Sequence, residues 1–355
     1  MKTPVLAGAL LGVLLSFLCA AAQSGPFNPD TDPSRIRWTQ LTPRLGPAPD
    51  VRGQRFGIVL KTQTNEYWRM MAVGYRRRAA ADGIKLDIQA AQSEADQLRQ
   101  LSIMQNMIGS RYKALLISPI SAFNLQPAID EAVAAKLPVV DMDGAVVDSV
   151  AHFVGPVNRE MGVRVAQWFI RHYQSGGKVA VIEGQAGVFS TVQRSAGFRE
   201  TLLATAKFEI VASVSGQWDR QQAFDVTKKI IQQTPDIIGF YCNNDTMALG
   251  SVEAVRSMGA LDRIRVFGSD GTSAAYASIT AGDLTGTVDI FPMMIGELGL
   301  DVASRLSANQ SVPRVVETPQ VLVTRDNIAR YGTGEDTRRK SLTEDEIRVD
   351  IRYSR

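Results

Sequence analysis

The chain has 355 residues, 45% of them hydrophobic and 21% charged, which is enough apolar surface for two hydrophobic cores and too much chain for one typical core. Its 39 basic residues nearly balance 36 acidic ones, a net charge of +3, so the composition carries no electrostatic footprint for a nucleic acid or another polyanion. The one tight basic run, Arg76-Arg77-Arg78, falls within a helical pattern and reads as a solvated face.

The first element in chain order is a targeting segment. Lys2 supplies a positive start, Val5 to Leu18 is apolar apart from Ser16, and Ala20 and Ala22 stand in an A-x-A arrangement before Gln23. That pattern predicts a secretory signal peptide over residues 1–22, cleaved near Ala22, and hence an exported protein. The apolar stretch is shorter than the roughly 20 residues of a spanning helix. Phe17 and Leu18 precede Cys19 where a lipid-anchored protein would carry small residues. Cleavage removes Cys19 and leaves Cys242 alone, so no intrachain disulfide is expected.

Residues 23–54 are rich in Pro, Asp, Gly and Arg without a sustained period, and read as an extended leader. From Arg55 onward, short apolar runs alternate with longer amphipathic stretches. Strands are predicted at Phe56-Gly57-Ile58-Val59-Leu60, Lys85-Leu86-Asp87-Ile88, Ala114-Leu115-Leu116-Ile117 and Pro138-Val139-Val140-Asp141, with helices over 66–82, 94–109 and 122–135. After a short run at His152-Phe153-Val154 the pattern resumes with helices over 157–173, 190–204, 220–233 and 245–258. The strands between them are Lys178-Val179-Ala180-Val181-Ile182, 208–214, 236–241 and 264–268. Apolar strands separated by helices of this length form parallel sheets covered on both faces. The predicted fold class is therefore α/β, with two doubly wound parallel-sheet (Rossmann-like) domains. Residues 330–355 are charged and weakly periodic and read as an appended tail.

In such sheets ligands sit beyond the carboxyl ends of the strands. Those positions hold Lys61 to Trp68, Ser118-Pro119, Asp141 to Asp143, Gly184 to Arg194, Trp218, Asn243 to Asp245 and Asp270-Gly271. The inventory suits a sugar or polyol. Asp143 and Asp270 can accept hydrogen bonds from paired hydroxyls, and Arg194 and Asn244 can donate to them. Tyr67, Trp68 and Trp218 can cover apolar C–H faces, while Lys61 adds a point charge for a hydroxyl or a carboxylate. Each also has an ordinary structural reading, Asp270 as a turn former before Gly271 and Asn244 as a helix N-cap.

Enzyme chemistry is poorly supplied. His152 and His172 are the only imidazoles, Cys242 has no histidine near it in the pattern, and Asp141 and Asp143 lack a third group to form an acid/base set. No metal-ligand motif is present, and Gly184-Gln185-Ala186-Gly187 lacks the Lys-Ser/Thr of a phosphate loop. No metal and no cofactor are expected.

Five stretches, in this order and spacing, resemble a known family. They are Thr64-Asn65-Glu66-Tyr67-Trp68, Ala114-Leu115-Leu116-Ile117-Ser118-Pro119, Arg194-Ser195-Ala196-Gly197-Phe198, Asn243-Asn244-Asp245-Thr246-Met247-Ala248-Leu249-Gly250 and Gly268-Ser269-Asp270-Gly271-Thr272. Over about 55–325 the chain looks like the periplasmic sugar-binding proteins of ABC importers, of the ribose- and arabinose-binding type with the type I periplasmic binding protein fold. The resemblance implies a three-crossover hinge near Gly155 to Val157, Asp289 to Phe291 and Glu317 to Gln320. The N-terminal lobe would comprise 55–155 plus 291–317, and the C-terminal lobe 157–289 plus 319–329. It implies ligand contacts from Lys61, Asn65, Tyr67, Trp68, Asp143, Arg194, Trp218, Asn244 and Asp270.

Two positions depart from the family pattern. Gly144 follows Asp143 where the ribose type has arginine. Ile290 stands where a ligand-binding glutamine belongs, with Asp289 beside it as a candidate substitute. A deoxysugar, a polyol and a sugar acid paired with Lys61 all stay open as ligands. The implied function is a monomeric periplasmic receptor that closes on a sugar or polyol and delivers it to an inner-membrane ABC permease. A ligand-sensing module for a membrane kinase or chemoreceptor, or an exported sugar-acting enzyme, are the alternatives. Repressors of the same fold carry a helix-turn-helix before the first strand; here that position holds the export signal and leader, so no nucleic-acid partner is expected.

Overall fold

The computed structural model describes residues 26–331, together with residues 334 and 342. The expected signal peptide at 1–22, with Cys19, lies outside the described residues, as does most of the charged tail at 330–355. No helix among the described residues is long and apolar enough to cross a membrane.

Two sheets organise the chain. The first contains β1 (Ile36–Arg37), β2 (Arg55–Leu60), β3 (Lys85–Ala90), β4 (Ala114–Ile117), β5 (Val139–Met142), β6 (His152–Gly155) and β12 (Val315–Glu317). Its order is β1-β12-β6-β5-β4-β2-β3, and every pair is parallel. The second contains β7 (Gly177–Glu183), β8 (Phe208–Ser215), β9 (Ile237–Cys242), β10 (Arg265–Asp270), β11 (Gly286–Asp289) and β13 (Val321–Thr324), in the order β13-β11-β10-β9-β7-β8. Every residue of β4 and β5 is buried, because helices cover both faces, whereas the edge strand β3 is half-buried and alternates in polarity.

On the first sheet, α2 (Glu66–Asp82) and α10 (Pro292–Ser307) pack against one face through Met71, Tyr75, Ile295 and Leu300. Helices α3 (Gln97–Ile108) and α4 (Gln126–Ala134) cover the other through Ile103, Met104 and Ile129. On the second sheet, α5 (Asn158–His172) and α6 (Phe189–Leu203) bury Val165, Phe169 and Phe198. Helices α7 (Arg220–Gln233), α8 (Asp245–Ser257) and α9 (Ser273–Ala281) bury Ile230, Met247 and Ile279 opposite them.

The chain passes between the sheets after β6, after β11 and after β12. The last passage explains the one antiparallel pair among the described residues, β11 with β13. Strand β11 ends where the chain leaves for α10, and β13 begins where the chain returns from β12. A strand that enters the sheet at the end where its neighbour leaves must run the opposite way.

Residues 26–54 are more ordered than an extended leader. They form β1, which adds an edge to the first sheet beside β12, and the short helix α1 (Leu41–Leu45), with Ile36, Leu41 and Val51 buried. The carbonyl of Gly46 accepts from the buried Arg305 guanidinium at 2.8 Å. Periodicity missed this segment because its elements are shorter than any window in which a period shows.

Within it, Asp30 is 7% exposed, and its carboxylate accepts from the backbone amides of Asn158 at 3.0 Å and Arg159 at 2.7 Å, at the start of α5. Burial outweighs those two hydrogen bonds and the nearby Arg35, and pushes the Asp30 carboxyl up to about 7. A carboxyl whose pKa is raised on folding binds its proton more tightly in the native state. Its contribution is complete below the ordinary carboxylate range and is lost as the pH rises to about 7. Urea unfolding between pH 4 and pH 7.5 should show wild type losing on the order of 4 kcal/mol relative to Asp30→Asn. Parallel pH profiles for the two proteins would contradict this.

Candidate ligand-binding site

The loops that leave the strands at their carboxyl ends meet between the two sheets. Around one chamber stand Lys61, Asn65, Tyr67, Trp68, Glu94, Asp143 and Gly144 from the first lobe, and Ser190, Arg194, Trp218, Asn244 and Asp270 from the second. Nine of the ten residues singled out in the sequence are in this set. In this closed arrangement the chamber encloses about 20 Å³, room for one water. It shares Asn65, Glu94 and Trp218 with a wider polar cleft of about 680 Å³ that opens outward.

Local structure explains how several of these side chains are held. Asn65 is the N-cap of α2, its Oδ1 accepting from the Tyr67 amide at 3.0 Å, so Tyr67 and Trp68 sit in the first turn with their rings in the cleft. Asn244 caps α8 in the same way, accepting from the Met247 amide at 2.9 Å. Both asparagines therefore fill the ordinary capping role as well as lining the chamber. Capping uses Oδ1 and leaves the amide nitrogen of Asn244 as the group able to donate.

Arg194 is the centre of the arrangement. Its Nε donates to Asn158 Oδ1 at 2.9 Å and its Nη1 to the Asn243 carbonyl at 2.8 Å. The remaining edge of the fork faces Asp270 Oδ1 at 3.6 Å and, across the cleft, Asp143 Oδ2 at 3.8 Å. Burial opposes the guanidinium charge, but Asp143 and Asp270 outweigh it and hold the pKa above its ordinary value. Asp143 Oδ2 also accepts from the Tyr67 hydroxyl at 2.6 Å. Burial, followed by the charge of Asp143, raises the Tyr67 pKa, so the phenol stays protonated and donates.

Lys61 is 2% exposed, and its ammonium lies 5.5 Å from the centre of the Trp68 ring. Burial lowers its pKa against the opposing pull of Glu94 and Asp143. A Cβ at Gly144, where φ is +95°, would come within 3.0 Å of Lys61 Cε and Nζ. The missing side chain at 144 is thus what gives the lysine its place.

Trp218 forms the wall opposite. It and Gln217 both have left-handed backbones, with φ of 60° and 54°, uncommon for residues with side chains. The indole lies so close to Gly184 that a Cβ there would sit 2.0 Å from its ring. Trp218 Nε1 and Asp143 Oδ1 are buried without a hydrogen-bond partner among the described residues. One is a donor and the other an acceptor, a pairing that a hydroxyl group would satisfy.

Asp289 does not join the chamber. Its carboxylate accepts from the Tyr276 hydroxyl at 2.9 Å and from the Phe291 amide at 2.8 Å, where it secures the turn into α10. Side chains alternate between the faces of a strand, and at this strand end Asp289 points to α9, so it does not stand in for the glutamine the resemblance leads one to expect.

Glu94 is the residue that sequence reasoning missed. Its Oε1 accepts from Trp68 Nε1 and from Asn65 Nδ2, both at 3.0 Å. It follows β3, and the strand-end rule applied to that loop would have found it. The two histidines and Cys242 lie outside the lining, and burial pushes the Cys242 thiol up to about 12.

Comparison with known proteins agrees with this architecture. The family described as periplasmic binding protein domain matches residues 56–311. The D-allose-binding periplasmic protein of Escherichia coli K12 is 34% identical over 254 residues, 69% of this chain and 82% of that protein. The ribose import binding protein of Bacillus subtilis is 32% identical over 269 residues, covering 76% of this chain and 86% of the relative. Among solved structures, an ABC transporter solute-binding protein of Actinobacillus succinogenes with bound D-allose superposes with a TM-score of 0.75. It is 28% identical and covers 78% of this chain and all of its own. A solute-binding protein of Mycobacterium smegmatis with bound glycerol gives the same TM-score and identity, covering 79% and 98%. With a matched domain running from β2 to beyond α10 and a chamber formed where the strand ends of both sheets meet, this chain belongs to the periplasmic binding protein family.

Proposed function

We propose that this protein is an exported solute receptor. It closes two lobes on a neutral sugar or polyol and presents the loaded form to an ABC-type permease in the inner membrane. The observation that carries the reading is the ring at Arg194, where Asp143 of one lobe and Asp270 of the other converge on one guanidinium while Trp218 Nε1 and Asp143 Oδ1 stay unpartnered. A polyhydroxylated ring satisfies such groups in pairs, and it does so only when both lobes touch it. The ligand favours closure by its differential affinity for the closed form.

In this reading Tyr67, Trp68 and Trp218 cover C–H faces, Asn65 holds Glu94 in place, and Lys61 donates to a hydroxyl. Glu94 also bears on the charge of the ligand. With Asp143 it sets two carboxylates against the two cations Lys61 and Arg194, while Asp270, its pKa raised by burial, adds a hydrogen-bonding group. A sugar acid would bring a charge that this balanced ring does not pair, so the neutral compound is preferred. The lobes turn about the three crossings, and the ligand leaves unchanged.

A thermal-shift panel of pentoses, hexoses, deoxysugars, polyols and sugar acids, run on the protein from Gln23 onward, tests this. A compound at 100 times its Kd stabilises by about 2.7 kcal/mol, a shift of several degrees. Hits are expected among neutral compounds, which should be recovered intact after prolonged incubation. Hits confined to acids would overturn the neutral-ligand reading, and chemical conversion of a hit would overturn the receptor reading.

A further inference from the structure

The lobes meet at a second place, outside the chamber. Glu66, the first residue of α2, reaches across the cleft, and its two carboxylate oxygens accept from the backbone amides of Ser273 at 3.1 Å and Ala274 at 3.3 Å. These residues open α9, whose third amide, that of Ala275, donates to the Thr272 hydroxyl at 3.2 Å. A helix leaves its first N–H groups without partners in its own backbone. In α9 the first three are satisfied, and two of them by the opposite lobe. The carboxylate also lies between the positive ends of α2 and α9, which closure brings together.

Both ends of this bridge belong to loops that line the chamber. Asn65, Tyr67 and Trp68 flank Glu66, and Asp270 stands three residues before Ser273. Beside it, Gln185 Nε2 donates across the same gap to the Glu94 carbonyl at 3.0 Å.

We infer that Glu66 is a closure latch, a positioning residue that raises affinity by docking the start of α9 while making no contact with the ligand. The inference rests on the receptor reading above. The latch forms only when the lobes meet, and a ligand enclosed between them leaves only after it opens. It therefore acts on dissociation and leaves association nearly unchanged. Because the contact is exposed, salt weakens it.

Two variants separate the latch from a folding defect. Glu66→Ala removes the acceptor. Ser273→Pro removes one donor and keeps α9, because proline is favoured at a first helical position and Thr272 before it has φ −67° and ψ 155°, a conformation that proline permits. Amide exchange by NMR on protein saturated with the tightest-binding neutral compound should show the Ser273 and Ala274 amides exchanging at least about three-fold faster in Glu66→Ala. Stopped-flow measurements with D-allose, D-ribose and myo-inositol as probes should show dissociation about five-fold faster in each variant. The double variant should be no faster than the faster single one. Unchanged exchange in Glu66→Ala, unchanged dissociation, or additive effects in the double variant would each overturn the latch. If wild type binds none of the three, the tightest neutral hit of the thermal-shift panel serves as the probe; a panel without any hit overturns the receptor reading and the latch with it, whereas normal binding with unchanged exchange overturns the latch alone.

Discussion

Replacing Arg194 with methionine is expected to lower the melting temperature by roughly 10 °C and to abolish binding of any sugar or polyol the wild type accepts. The side chain is 3% exposed and serves four groups at once: Asn158 Oδ1, the Asn243 carbonyl, Asp270 and Asp143. Methionine fills a similar volume but donates nothing. It leaves two buried acceptors without donors and removes the positive charge that faces Asp143 and Asp270. Removing one partner of a buried ionic group costs about 3–5 kcal/mol, since the remaining charge stays in a low dielectric. Lysine should not rescue the loss, because a single ammonium cannot reproduce a planar fork that reaches Asn158 with one nitrogen and Asn243 with another. Calorimetric melting and a binding titration on both variants check this. An unchanged melting temperature in Arg194→Met would mean that the guanidinium is not the electrostatic centre of the site.

Asp270→Gly is expected to move stability and binding in opposite directions, raising the unfolding free energy by about 1 kcal/mol while weakening ligand affinity at least 100-fold. The backbone at Asp270 has φ of 127°, a region open to glycine and costly for residues with a side chain. Burial first, and then the charge of Asp245, raises its pKa well above the carboxylate range, so the folded state disfavours the ionised carboxylate it presents. Glycine relieves both penalties. Arg194 keeps Asp143, Asn158 and Asn243, so its desolvation remains partly compensated. What is lost is a carboxylate facing the chamber from the second lobe, able to accept from paired hydroxyls. Urea unfolding and calorimetric titration on the same preparation measure both effects. A variant that is less stable and binds normally would show Asp270 to be a structural residue.

These two residues illustrate what was legible in the chain before any coordinates. Arg194 begins the R-S-A-G-F stretch and Asp270 ends an apolar strand run, and both were placed in the ring of loops by the rule that ligands gather at the carboxyl ends of parallel strands. The same rule reached Lys61, Trp218 and Asn244. It is silent on Glu94 because the ring omits the loop after β3. Asp289 enters only through the resemblance, which expects a glutamine at the neighbouring Ile290, and the structure turns its side chain to Tyr276 instead.

The sequence by itself determined the alternation of strands and helices, the two parallel sheets and which loops face the cleft. Each of these depends on a local property, the hydrophobic period of a segment or the point at which a strand stops. The tertiary structure alone decided which groups meet. Examples are the Arg194 guanidinium between carboxylates of two lobes, Glu66 on the start of a helix 207 residues away, and Asp30 on the start of α5. It also decided that residues 26–54 pack onto the first sheet and that β13 runs antiparallel. Such contacts join residues far apart in the chain, and they depend on strand-end side-chain direction and on how the lobes come together, neither of which a local period encodes.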